Sequence, residues 1–456
     1  MSTSNAVLFI DNGGYNIKSF YLSSEDAVPH FFVIPNCVGA STHTGRGITG
    51  QHIHQLPHYH SFMVRRPVEK GFIVDGLLQA YLWEHILQNF RIDDESTVDL
   101  WLTIPFAPPR SLINLLHILL TKRFAFKSVT FMSTSFLSLV AYSLGEKSDT
   151  TDRKRSRQSM ESGEERSTVM NGTGLMVDVG FSSTTVVPYV DYLPVYSSIV
   201  RIDVGGKLLT NRLKQHISYT QMSVMEDGWL MNYVKETCCE VPLSPSGLLQ
   251  DYSRSDYKDE VRYYLPTTSA LMPLGCREEE LVARLKPSAS TGGDSALQVI
   301  RLQQERYFIP ELLFCPSDVG LDQMGVSEAL SVGVFRRGLL QHLPLLRPFF
   351  LSHVCVYGGT GRMKHFRERL EKDLSTEPSG GLIEPKEPTA LLKDIPTEPL
   401  NSCHLLELIP LYGALAVLRG AQGATHRAKM EERGRANLMG NKSDLERLTA
   451  ALARML

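Results

Sequence analysis

Two stretches of this chain repeat one short unit: an apolar strand, a turn carrying Asp and Gly, and a second strand. The first runs through Val7–Ile10, turns at Asp11-Asn12-Gly13-Gly14, and continues through Ile17, Phe20 and Leu22. The second runs through Leu175–Val177, turns at Asp178-Val179-Gly180, and continues through Thr184–Tyr189. A polar, Gly-bearing turn between apolar runs reads as a β-hairpin. One such turn says little, because Asp, Asn and Gly populate turns everywhere. Two copies in matched strand context constrain the fold far more. A third turn, Gly358-Gly359-Thr360, follows the Val354–Val356 strand. The pattern predicts two related halves whose turns face each other.

Facing turns of this kind suit a polyphosphate. Backbone N–H groups at glycine approach phosphate oxygens with no Cβ in the way. Asp11 and Asp178 would hold Mg2+ through its waters, since Mg2+ sheds its hydration shell reluctantly. Lys18 would reach the phosphates as a point charge.

The 456 residues allow two or three lobes, given domains of roughly 100–200 residues. An apolar fraction of 43% and a charged fraction of 21% are ordinary for a globular protein. A formal charge of -2 excludes a global field toward nucleic acid or an acidic membrane. No apolar run approaches the ~20 residues of a membrane span, and none is expected. Ala6–Ile10 is too short for a signal-peptide core. The sequons at Asn171 and Asn441 therefore read as chance matches. The seven cysteines are odd in number and form no Cys-x-x-Cys pair. They read as reduced, mostly buried thiols, the adjacent Cys238 and Cys239 included, and not as zinc ligands.

Apolar spacing predicts helices over Leu77–Leu87, Leu112–Leu120, Ser135–Leu144, Lys207–His216, Gly228–Cys239 and the charged Arg362–Leu374. Val98–Ile104 reads as a buried strand closed by Pro105. Gly39–His60, rich in Gly, His, Ser and Thr, reads as a flexible surface loop. Its His52, His54, His58 and His60 lack fixed carboxylate or Cys partners for a metal. Glu146–Thr173 cannot bury enough apolar surface to offset its ordering entropy, which predicts a disordered insertion. Its Arg153–Arg157 run fits a nuclear-import signal better than a DNA contact. Lys286–Ser295 and the Pro- and acid-rich Glu377–Thr397 read as loops. Ser443–Leu456 reads as a helix behind a Ser443/Glu446 capping box, striped by Leu445, Leu448, Leu452 and Leu456. The expected organisation is a first lobe at 1–145, with a small subdomain loop near 35–65, then the insertion at 146–173. A second lobe follows at 174–350, then a return segment at 351–425 with its loop near 375–400, and a helical extension at 426–456.

Asp11 through Lys18 resembles the first phosphate loop of actins and actin-related proteins, and Asp178–Ser182 their second. Arg201–Thr210 is similar to their RLDLAGRDLT segment, and Lys235-Glu236 with Cys239 to their IKEKLCYV helix. Glu305–Phe314 with Pro316-Ser317 is similar to their NERFRCPEALFQPS block, and Gly358-Gly359-Thr360 to their SGGT loop. The blocks keep order from about Val7 to about Leu418. Ile34-Pro35-Asn36-Cys37, Val204–Asn211, Tyr264-Leu265-Pro266 and Cys276-Arg277-Glu278-Glu279 narrow the resemblance to the actin-related protein 6 subfamily.

The resemblance implies an α/β fold of the actin, heat-shock ATPase and sugar-kinase superclass, two-lobed, with a nucleotide cleft between duplicated domains. It implies Asp11 and Asp178 as ligands of Mg2+ through water. Gly13, Gly14, Gly180 and Ser182 would line the phosphates of ATP or ADP, with Lys18 in contact. Gly206, Lys235 and Glu236 would hold ribose and adenine, and Gly358, Gly359 and Thr360 would close over the nucleotide. For the subfamily it implies a mainly nuclear protein, with some in the cytoplasm. That protein is a subunit of ATP-dependent remodellers that exchange a variant histone. Its partners there are a zinc-finger subunit and the remodeller ATPase, and histone or nucleosome contact is open to it.

The departures bear on chemistry. Actins carry a Gln near Ser133–Phe136 and a His in the second loop, both positioning the attacking water. Here Met132–Leu137 holds no Gln, and Thr185 stands at the His position. A short hydroxyl neither reaches like an amide nor takes a proton like imidazole. Phe181 stands for an Asp, Tyr15 for a Gly and Arg362 for a Met. Since positioning dominates phosphoryl transfer, hydrolysis is expected to be slow or absent, with no catalytic residue assigned. Filaments are not expected, because Gly39–His60 lacks the apolar tip that actin inserts into its neighbour. The alternatives are a cytoskeletal actin-like protein, or a weak ATPase of the same superclass such as a sugar kinase or chaperone ATPase.

Overall fold

The structure, a computed structural model, describes residues 6–23, 28–41, 47–50, 62–145, 172–254, 259–266, 274–284, 298–375, 381–383 and 403–419. The repeated unit forms the centre of two sheets. In the first, β1 (Ala6–Asn12) pairs antiparallel with β2 (Asn16–Leu22), setting Asp11 opposite Lys18. β3 (His30–Pro35) extends that edge. β4 (Val38–Ser41), β5 (Gly47–Thr49) and β6 (Phe62–Arg65) form a separate small sheet, followed by the hairpin of β7 (Val68–Glu69) and β8 (Phe72–Ile73). β9 (Val98–Thr103) and β10 (Ser128–Met132) then add in parallel, giving the order β10-β9-β1-β2-β3.

In the second sheet, β11 (Gly174–Val179) pairs with β12 (Thr184–Val190), setting Asp178 opposite Thr185. β13 (Leu193–Pro194) and β14 (Val200–Ile202) both pair with β12. β15 (Val261–Tyr264), β16 (Cys276–Arg277) and β17 (Val299–Leu302) make a further small sheet. β18 (Val354–Tyr357) runs parallel to β11 and delivers the third turn beside the second.

Side chains alternate along these strands, so each sheet feeds two cores. Val7 and Phe9 pack with Phe136, Leu137, Met176 and Tyr189, whereas Leu8 and Ile10 pack into the outer core of the first lobe. Val177 and Val186 face the outer core of the second lobe. The helices Thr134–Gly145 and Leu405–Arg419 therefore lie between the two sheets, in contact with each other. The Tyr142 hydroxyl ties this layer to the second sheet by donating to the Val356 carbonyl at 2.5 Å.

The Leu405–Arg419 helix has no counterpart in the sequence reading. Its segment LLELIPLYGALAVL is apolar all round and interrupted by Pro410, so it lacks the one-sided period that marks a surface helix. The reading of Gly39–His60 as loop needs correction: β4 and β5 fall inside it. Thr49 is buried there, and Ile48 packs on the Cys37–Trp229 cluster. The Arg362–Leu374 helix also starts later, at Phe366, because Gly359–Arg362 forms a tight turn at the cleft and His365 adopts a left-handed φ of 64°. The four histidines, the basic run, most of 146–173, Lys286–Ser295 and Ser443–Leu456 lie outside the described residues, as does most of Glu377–Thr397. The seven cysteines form no disulfide, and five of them are buried. Among the described residues no helix is long and apolar enough to cross a membrane.

Candidate functional site: the interlobe cleft

The three turns meet at a cavity of about 1210 Å3 between the sheets. It is lined by Asp11, Gly13, Gly14, Lys18, Asp178, Gly180, Ser182, Lys235, Glu236, Gly358, Gly359 and Thr360. Gly206 adjoins it, since a Cβ there would lie 2.8 Å from Thr360 Oγ1 and 3.3 Å from Lys235 Nζ. The structure thus brings all of the sequence-predicted residues together.

At the floor, Lys18 Nζ lies 2.7 Å from Asp11, and Thr103 Oγ1 donates to Asp11 at 2.9 Å. Burial depresses the Lys18 ammonium, and the adjoining Asp11 carboxylate more than reverses that, so its pKa ends above the ordinary value. Asp178 has Thr185 across the hairpin where Asp11 has Lys18. Enclosure in the cleft, followed by repulsion from Asp11, pushes Asp178 up to about 7. Lys18 pairs with Asp11, and its charge and that of Arg201 only partly offset the rise at Asp178.

The turns approach closely. A Cβ on Gly14 would meet Ser182 Oγ across the cleft and turn that side chain away, whereas Gly358 is fixed by its backbone. Gly358 has a φ of 100°, and a Cβ there would sit 2.8 Å from Asp178 Oδ1. Thr360 Oγ1 donates to the Gly180 carbonyl at 2.8 Å, and the Gly206 N–H reaches the same oxygen at 3.1 Å. These bonds lock the second and third turns into one rigid wall.

At the other end, Lys235 is fully enclosed. Its ammonium donates to Gly206 O, Thr210 Oγ1 and Asn232 Oδ1 at 3.0, 3.0 and 2.8 Å. A lysine has three protons, so this set is complete. Burial lowers its pKa to about 8. Glu236 accepts from Asn232 at 2.8 Å and pairs with Arg362, which also lies 3.3 Å from Glu407. Glu236 retains acceptor capacity for a hydroxyl, while Lys235 is held by its own helices.

The mouth is crowded. Tyr15 and Phe181, on facing turns, have ring centroids 4.9 Å apart, and Trp229 stacks on Tyr15 at 5.9 Å. The Arg66 guanidinium lies over all three rings. Beside them Lys207 pairs with Glu69, and Arg201 Nη2 donates to the Lys70 carbonyl at 2.7 Å.

Hydroxyls of Thr134, Ser135, Thr185 and Tyr357 line the cavity. Ser135 Oγ and Tyr189 Oη are 2.9 Å apart, and Thr134 Oγ1 is 3.3 Å from Tyr357 Oη. Burial, then the Asp178 charge, pushes the Tyr357 phenol well above its ordinary range. Burial does the same to Tyr189. Neither phenol ionises near neutrality, so this cluster offers no general base.

The donor set fits a polyphosphate with a hard divalent cation. An under-neutralised carboxylate pair, one lysine and three glycine turns surround a cavity above the usual 300–1,000 Å3 of ligand pockets. Among the described residues no group of three or more His, Cys, Asp or Glu is placed to hold a metal. Mg2+ at Asp11 and Asp178 would therefore rest on two carboxylates completed by waters and phosphate oxygens. Sequence reasoning missed Thr103, Arg66, Trp229 and Glu407, which come from separate elements and carry no local motif.

Comparison with known proteins places the chain in a family. Residues 2–390 match the family model described as Actin. "Actin-like protein C08B11.6" of Caenorhabditis elegans is 30% identical over 376 residues, covering 80% of this chain and 78% of that protein. "Actin-like protein arp6" of Aspergillus fumigatus is 30% identical over 394 residues, covering 80% and 81%. "Actin-related protein 6" of Drosophila melanogaster is 27% identical over 372 residues, covering 81% and 85%.

Proposed function

The chain belongs to the actin family, and from that premise we propose that it is a nucleotide-binding structural subunit of a nuclear, ATP-dependent complex that exchanges a variant histone. One observation carries the structural part of this reading. The cleft keeps its phosphate turns and carboxylate pair, yet sets the hydroxyls of Thr134, Ser135 and Tyr357 beside that pair, and neither the Tyr357 nor the Tyr189 phenol ionises near neutrality. Such a site binds better than it turns over. The nuclear and remodelling parts rest on the resemblance to actin-related protein 6, a name that relatives from animals and plants carry.

In this reading Asp11 and Asp178 hold Mg2+ through water, and Lys18 adds one positive charge to the phosphates. The Mg2+ of a bound nucleotide would supply the positive charge that the carboxylate pair lacks, and the nucleotide would lie between turns of both lobes. A ligand that binds only the folded form stabilises it by mass action. Glu236 is left to accept from a ribose hydroxyl, and the Gly358–Thr360 wall covers the nucleotide.

Two measurements test the reading. Affinity purification of the full chain from nuclear extract is expected to return a remodeller ATPase and a zinc-finger subunit. Their absence would count against the remodelling role. Phosphate release from Mg-ATP is expected to stay far below ~1 s-1, the lower end of kinase turnover. A rate at or above that value would make the protein an enzyme.

A further inference from the structure

We propose that Arg66, Tyr15, Phe181 and Trp229 form a latch across the cleft mouth that holds the lobes together and sets how fast a nucleotide leaves. The proposal rests on the reading that the cleft binds a nucleotide.

The four residues come from both sides. Tyr15 lies on the first turn and Arg66 follows β6, both in the first lobe. Phe181 lies on the second turn, and Trp229 opens the Gly228–Cys238 helix, both in the second lobe. Arg66 is anchored at home: its Nη1 reaches the carbonyls of Tyr15, Asn36 and Gly14 at 3.1, 3.3 and 3.4 Å. The guanidinium plane is thereby offered to the rings, 4.5 Å from the centroid of Tyr15, 5.0 Å from Phe181 and 5.8 Å from Trp229. Two of those rings belong to the opposite lobe.

Position gives the stack its role. Tyr15, Phe181 and Trp229 line the same cavity as Asp11 and Glu236. The Tyr15 phenol reaches Asn232 and feels the Glu236 charge, so it borders the end assigned to the sugar. Trp229 is buried, with Cys37 of the first lobe in its apolar cluster. Cation–π attraction fades beyond about 6 Å. Trp229 sits at that limit, so a small rotation of one lobe weakens that contact first, and the shorter Phe181 contacts must break before the mouth opens. The bound ligand does not have to supply the whole force of closure, because these side chains supply part of it.

The test uses the full chain loaded with N-methylanthraniloyl-ATP and Mg2+, chased with unlabelled ATP. Arg66→Ala is expected to release the label about tenfold faster, equivalent to ~1.4 kcal/mol. Arg66→Lys should fall between it and wild type, because lysine keeps the charge but loses the plane that stacks. Circular dichroism checks folding, and Phe181→Leu, with the same expectation, replaces either variant that does not fold. Folded variants releasing at the wild-type rate overturn the latch. If wild type takes up no label, the nucleotide reading fails instead, and hydrogen exchange over residues 35–41 and 228–238 then decides the latch. Faster exchange there in Arg66→Ala supports it, and unchanged exchange overturns it.

Discussion

Asp178→Asn is expected to abolish Mg2+-dependent nucleotide binding while raising the melting temperature of the metal-free protein at pH 8. Both effects follow from one charge. In the folded, metal-free protein, enclosure and the nearby Asp11 push Asp178 up to about 7 from an ordinary 3.8. Between those values the folded state binds more protons than the unfolded state. Stability therefore falls as pH rises through that window. At about 1.4 kcal/mol per pKa unit, the cost has an upper bound of ~4 kcal/mol, which water in the cleft will reduce. Asparagine cannot ionise, so the variant escapes that penalty and should melt several degrees higher. The same change removes a charge that Mg2+ needs. Thermal scans at pH 5 and pH 8, with and without Mg-ATP, check both halves. Equal melting of variant and wild type at pH 8, or intact Mg2+ dependence in the variant, would refute the account.

Gly413→Leu is expected to undo the middle layer and lower stability by ~3 kcal/mol or more. Gly413 lies on the Leu405–Arg419 helix, where a Cβ would collide with the Leu137 backbone carbonyl of the Thr134–Gly145 helix. Backbone cannot swing aside as a side-chain tip can. Overpacking usually costs 1–3 kcal/mol, and more where the obstacle is rigid. The layer also carries Leu411, Tyr412 and Leu415 against both sheets, so the loss should propagate. Urea unfolding gives the readout. An unchanged midpoint and slope would show that the helices do not cross as closely as described.

The repeated turns were legible in the sequence because they need particular residues. Asp and Gly at a strand end report a local geometry, and two copies report a duplication. Elements with a one-sided period, such as Gly206–Thr220 with Leu209, Leu213 and Ile217 on its buried face, were legible through that period. The Leu405–Arg419 helix was not, since burial on all sides erases the period that betrays a helix. The small sheet around Cys37 was hidden by polar composition, with few apolar residues such as Val38, Ile48 and Val64 to mark it. At the site, the substitutions Tyr15, Phe181 and Arg362 could be seen singly. That the first two share a stack with Arg66 and Trp229, and that the third pairs with Glu236 and Glu407, is tertiary information. No spacing along the chain encodes it.

The pair of helices between the sheets also governs how the molecule can move. Both sheets rest on that one layer, so neither lobe can translate freely without shearing it. The low-cost motion is rotation with the helix pair as fulcrum. In a lever, travel grows with distance from the pivot. Asp178, linked through Tyr357 to Thr134 on that helix pair, would then separate little, while groups farther from the pivot would travel more. A contact at the tip of a long arm resists opening with more torque than one of equal strength at the root.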